Sequence, residues 1–88
     1  MNVLKVFNSK INAQFKQEEF CIDNFFMIKS TDKFGKVELV TGHSIYFRAI
    51  NTMEDAHKTS GMCFSWVEWD GKFDQNVKQY ICSRIRGL

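Results

Sequence analysis

Apolar residues between Val3 and Ile22 recur with a helical period. Val3, Leu4, Phe7, Ile11, Phe15, Cys21 and Ile22 fall on one face of a helical wheel, and Lys5, Asn12, Lys16, Glu19 and Asp23 fall opposite. That pattern predicts one amphipathic helix from about Val3 to Cys21 or Ile22. Glu18 interrupts its apolar face, and Asn8, Ser9 and Asn12 are weak helix formers. A strand over residues 2–7 followed by a helix capped by Ser9 is the rival reading; the single helix is preferred.

The period then shortens. Phe25-Phe26-Met27-Ile28, bounded by Asp23-Asn24 and Ser30-Thr31-Asp32, reads as a buried strand. Asp32-Lys33-Phe34-Gly35 is a turn, and Lys36-Val37-Glu38-Leu39-Val40 alternates as a strand does. Gly42-His43 suits a two-residue hairpin turn with glycine in its first position, leading into a strand over Ile45–Ile50. Residues 51–61 form a loop with a helical turn at Met53–His57. Met62–Trp69, rich in aromatics, is the fourth strand, with Phe64, Trp66 and Glu68 alternating against Ser65, Val67 and Trp69. Asp70-Gly71 breaks it, and a last helix runs from about Phe73 to Arg86, with Asp70 and Asp74 near its start. The predicted fold class is therefore α+β: one domain over residues 1–88, a four-stranded antiparallel meander with the N- and C-terminal helices packed on one face, in the order α-β-β-β-β-α.

Composition narrows the setting. A chain of 88 residues with 44% hydrophobic and 25% charged residues supports one globular core. No run of apolar residues is long enough to span a bilayer, and Met1-Asn2-Val3-Leu4-Lys5 does not begin a secretory signal. A cytoplasmic protein without a membrane partner is expected. Nine Phe, nine Lys, seven Ile and six Asn stand against three Ala, three Arg and no Pro, a bias that suggests an AT-rich gene of a phage or mobile element.

Charge and cysteine usage point to no cofactor. The net charge of +2 is small, and its basic excess lies at the C-terminus, where Lys72, Lys78, Arg84 and Arg86 face Asp74 alone. Those cations complement a helix dipole or, in a sharper reading, contact phosphates of a nucleic acid. Cys21, Cys63 and Cys82 are odd in number and widely spaced, so they read as small core residues and not as a disulfide or zinc framework. His43 and His57 have no partner at metal-ligand spacing.

Catalytic constellations are hard to build from these residues. Glu68 and Asp70 share a strand face, which brings two carboxylates near one another, but Asp70 also suits a turn. Gly35-Lys36 and Gly71-Lys72 lack the following Ser or Thr of a phosphate loop. Gly42–Ile50 with Gly61–Asp70 resembles the strands around the second nucleotide motif of phage packaging ATPases. The phosphate loop is absent, however, and Glu68-Trp69-Asp70 replaces the acidic pair, so no residue is carried over. The predicted order, helix–strands–helix, is similar to that of double-stranded-RNA-binding domains, which supports nucleic acid as an alternative partner.

What remains is surface. With Ile45, Phe47, Phe64 and Trp66 turned toward the helices, Tyr46, Arg48, Ser65, Val67 and Trp69 occupy an open sheet face. Tyr46, Arg48 and Trp69 are residue types enriched in binding hot spots. Arg84 lies within the last helix's apolar face, and Glu18 is its obvious mate. The expected function is a small, non-enzymatic protein-binding module that occludes a host protein through Tyr46, Arg48 and Trp69. An open strand edge and an aromatic face also allow a homodimer.

Overall fold

The computed structural model describes residues 2–32, 35–59 and 64–83. Its elements are β1 (Asn2–Phe7), α1 (Lys10–Asp23), β2 (Ile28–Thr31), β3 (Lys36–Leu39), β4 (Ser44–Ala49), α2 (Met53–His57), β5 (Trp66–Asp70) and α3 (Gln75–Cys82), with a 3-10 turn at Phe25–Met27. The strands form one mixed sheet in the order β2-β3-β4-β1-β5. β1 runs parallel to both β4 and β5, while β3 is antiparallel to β2 and β4.

The four-stranded antiparallel meander is thereby corrected to a five-stranded mixed sheet, because the first strand lies inside the predicted first helix. Residues 2–7 form β1, and Ser9 caps α1, its hydroxyl accepting from the Asn12 amide at 3.1 Å. β1 is flanked on both sides and covered on both faces. Leu4 and Val6 point to one core, and Val3 and Phe7 to the other. A strand buried on both faces loses the alternation that marks a half-buried one, so its apolar residues fit a helical wheel equally well.

The helices are also not on one face. Val3, Phe7, Val37, Ile45 and Phe47 pack against Ala13, Phe20 and Cys21 of α1. Leu4, Val6 and Phe64 pack on the opposite face against Ala56 of α2 and Val77 and Ile81 of α3. The chain crosses from β1 toward the β2 edge, and from β4 toward the β5 edge. Connections of one hand that travel in opposite directions along a sheet pass over opposite faces. The result is three layers, α1 over the sheet over α2 and α3.

Smaller differences follow from local chemistry. The run from Phe25 to Met27 is a 3-10 turn with both phenylalanines exposed, so β2 begins at Ile28. The β3–β4 hairpin forms, but its loop is Val40-Thr41-Gly42: the Leu39 amide donates to the His43 carbonyl at 2.8 Å, and Gly42 holds the last loop position at φ +92°. That is the left-handed slot of a three-residue hairpin rather than the first place of a two-residue one. The turn at Met53–His57 is α2, with Thr52 as its cap. Asp74 caps α3, accepting from the Asn76 amide at 2.8 Å. The expected strand start at Met62 and the helix end at Arg86 lie outside the described residues.

Candidate functional site

In open sheets with parallel strands, ligands gather beyond the carboxyl ends of the strands, where successive connections leave to opposite faces. Here that point is the end of β1, between β4 and β5. It is filled by the chain itself. The Asn8 side-chain amide donates to Asn51 Oδ1 at 3.2 Å and to the Lys72 carbonyl at 3.0 Å, and Asn51 Nδ2 donates back to the Asn8 carbonyl at 2.6 Å. Gly71, at φ +126°, lies so close to Asn8 Oδ1 that a Cβ there would collide with it. These bonds tie three strand ends together and use the donors and acceptors that a ligand would need.

Two clefts flank α1. One, of about 480 Å³, lies between α1 and the α1-side face of β5, which α1 leaves uncovered because it sits over β1 and β4. Glu68 and Asp70, two apart on β5, both line this cleft. Glu68 is engaged by Lys5 at 3.5 Å, and the Lys5 ammonium also lies 5.6 Å from the Phe20 and Phe47 ring centroids. The other cleft, of about 320 Å³, lies among α1, the end of β4 and α2, with Lys10, Arg48, Asp55 and Lys58 in its walls. Asp55 pairs with Lys58 at 3.9 Å and accepts from the Asn51 amide at 3.2 Å. Arg48 Nε is buried there without a hydrogen-bond partner among the described residues.

Tyr46, Arg48 and Trp69 do share a sheet face: Leu4 pairs with Tyr46, and Val6 lies between Arg48 and Trp69. That face is covered, which corrects the expected open one. Tyr46 meets the Phe64 ring edge-on at 5.6 Å, and Trp69 packs on Phe73 at 5.1 Å beneath α3. The indole exposed on β5 is Trp66, on the opposite face. The parity of residues 66–69 is thus inverted, because β5 buries its odd positions against α3 and leaves its even ones beside the gap next to α1. Phe64, just before the strand, is buried as expected.

Of the basic C-terminal set, Lys78 lies over the Trp69 ring at 5.8 Å, and Lys72 sits in the connection after β5. Arg84 and Arg86 lie outside the described residues, as does the proposed Glu18–Arg84 pair. His57 stacks on Tyr80 at 4.7 Å, whereas His43 stands exposed in the β3–β4 hairpin. Burial raises the Cys21 thiol above its ordinary pKa; Cys82 is exposed, and Cys63 lies outside the described residues. No group of three or more His, Cys, Asp or Glu among the described residues could hold a metal ion, and no helix there is long and apolar enough to cross a membrane.

The feature that residue-by-residue reading missed is the outer face of α1. Its inner face is Ala13, Phe20 and Cys21, with Phe20 tilted on Phe47 at 5.8 Å. Small Ala13 lets the helix approach the sheet closely. Ile11, Phe15 and Ile22 then point outward, and Phe25 and Phe26 continue beyond the helix end. These five side chains are between 61% and 77% exposed. The signal was in the sequence: Ile11, Phe15 and Ile22 lie together on the wheel, and only the assumption that this stripe faces the core misplaced it. Monomeric proteins rarely expose an apolar patch of this extent without use for it. No family model, curated protein or solved structure matches the chain.

Proposed function

We propose that this protein is a non-enzymatic binding module that acts by covering the surface of a protein partner, and that it does so with the outer face of α1. The observation that carries this reading is the row of exposed Ile11, Phe15, Ile22, Phe25 and Phe26. Aromatic and large aliphatic side chains supply most of the binding energy at protein interfaces once they are desolvated. The polar groups in the clefts support a non-enzymatic role, because Lys5 is engaged with Glu68 and Asp55 with Lys58. Tyr46 and Trp69, half-buried under α2 and α3, are supporting residues in this reading and not contact residues.

The test is capture from the native host with tagged wild type, Phe15→Glu and Lys78→Ala. The reading expects a partner lost by Phe15→Glu and retained by Lys78→Ala. Undiminished capture by folded Phe15→Glu rejects the surface. Loss with Lys78→Ala alone, together with steep weakening by salt, turns the assignment toward nucleic acid.

A further inference from the structure

Resting on the reading of the outer face of α1 as a docking surface, we infer that its occupant is a second copy of this chain, held as an antiparallel pair of α1 helices about a two-fold axis. Three observations point there. The outward positions Ile11, Phe15, Glu18 and Ile22 of α1 are spaced by four, three and four residues, the seam along which two helices pack side by side, and Phe25 and Phe26 lie just past the helix end. The seam is also self-complementary. In an antiparallel pair centred between Lys16 and Gln17, Ile11 of one copy falls level with Ile22 of the other, and each Phe15 falls level with Glu18.

Charge selects the orientation. The first half of α1 carries Lys10 and Lys16, and the second half carries Glu18, Glu19 and Asp23. Antiparallel packing lays each basic half along the acidic half of the second copy, and it opposes the two helix dipoles. Parallel packing would set acid on acid. Glu18 is the polar residue within the seam, level with Phe15 of the second copy, while Lys16 pairs with Glu19 of its own helix at 3.9 Å and lines the cleft toward the sheet. A two-fold axis presents the same patch twice, which is what a self-complementary stripe requires.

The area suffices for a modest dimer. Phenylalanine and isoleucine side chains at this exposure offer on the order of 100–150 Å² each, so the five give roughly 600 Å² per copy and roughly 1,200 Å² in all, at the lower end of stable specific interfaces.

Sedimentation of the untagged chain from about 1 μM to about 1 mM tests this range of affinities. The wild type is expected to pass from monomer to dimer. Phe15→Glu, and independently Ile11→Lys, should weaken association about tenfold or more while the circular dichroism spectrum is unchanged. Isotope-filtered nuclear Overhauser spectra of a mixed labelled and unlabelled sample read the orientation. Ile11 and Ile22 are about 16 Å apart along one helix, so a contact between their methyl groups arises only between copies packed antiparallel. Ile11–Ile11 contacts instead, or a dimer that survives both substitutions, would overturn the inference. A monomer at every concentration also overturns it. In that case, capture of another protein that Phe15→Glu abolishes keeps the docking surface and removes only the second copy, whereas capture indifferent to Phe15→Glu removes both readings.

Discussion

Truncating Phe15 and Phe47 to alanine separates the two faces of α1 in energetic terms. Phe15 is 61% exposed, so about two fifths of the side chain is covered, and losing that cover, roughly 70–80 Å², costs at most about 2 kcal/mol at 25–30 cal/mol per Å². Alanine is a better helix former than phenylalanine by about 0.5 kcal/mol, which offsets part of the loss, and its Cβ keeps some of the cover. The net effect of Phe15→Ala on the monomer is therefore about 1 kcal/mol, roughly 1.5 at most. Phe47 is 4% exposed, stacks on Phe7 with centroids 6.2 Å apart and meets the tilted Phe20 ring at 5.8 Å. Phe47→Ala leaves a cavity between α1 and the sheet and should cost about 3–5 kcal/mol. Urea titrations followed by circular dichroism at about 1 μM read both values, at a concentration low enough that self-association adds little to stability. A cost above about 2 kcal/mol for Phe15→Ala in dilute solution would mean that this ring packs inside, and the outward stripe would be lost with it.

Three further outcomes follow from other contacts. Gly71→Ala must place a Cβ at positive φ against Asn8 Oδ1, so it should destabilise by about 2 kcal/mol or more; adding Asn8→Ala should relieve the collision but not the backbone strain, a coupling that a double-mutant cycle measures. Gly35→Ala meets the Phe47 carbonyl at φ +96°, whereas Gly42→Ala, at φ +92°, meets open space; Gly35→Ala should therefore lower the melting temperature several degrees more, and equal effects in thermal scans would contradict the placement of β3 against β4. Because burial raises the Cys21 thiol, folding stability is untouched below the ordinary thiol range and falls as pH rises from there through the raised folded value, and peptide mapping after iodoacetamide at mildly alkaline pH should show Cys82 alkylated before Cys21.

Much of the local structure was legible in the residues. The strand runs at Lys36–Leu39 and Ser44–Ala49 and the helical turn at Met53–His57 lie close to where the pattern puts them, and the last helix begins two residues after the expected Phe73, with Asp74 as its cap. Glu68 and Asp70 fall on one strand face, as positions two apart on any strand do. The shared face of Tyr46, Arg48 and Trp69 was legible too, because side chains alternate on every strand whatever covers them. What covers a face is not local. Trp69 lies under α3 and Trp66 beside a gap because of where the helices land, and nothing within Met62–Trp69 encodes that.

The chain's own residues thus determined its periods, its caps at Ser9, Thr52 and Asp74, and its apolar stripes, all of which depend on neighbours within a few positions. Tertiary structure alone decided that Asn2–Phe7 is the strand flanked by β4 and β5, that the helices divide between two faces, and that Ile11, Phe15 and Ile22 look outward while Ala13 and Phe20 look in. The physical reason is that a six-residue apolar run is satisfied equally by a helix face or a doubly covered strand. An amphipathic helix, likewise, can turn either flank to a sheet. Only the hydrogen bonds of two parallel neighbours, and the packing of Ala13 and Phe20 into the cluster around Phe47, choose between them.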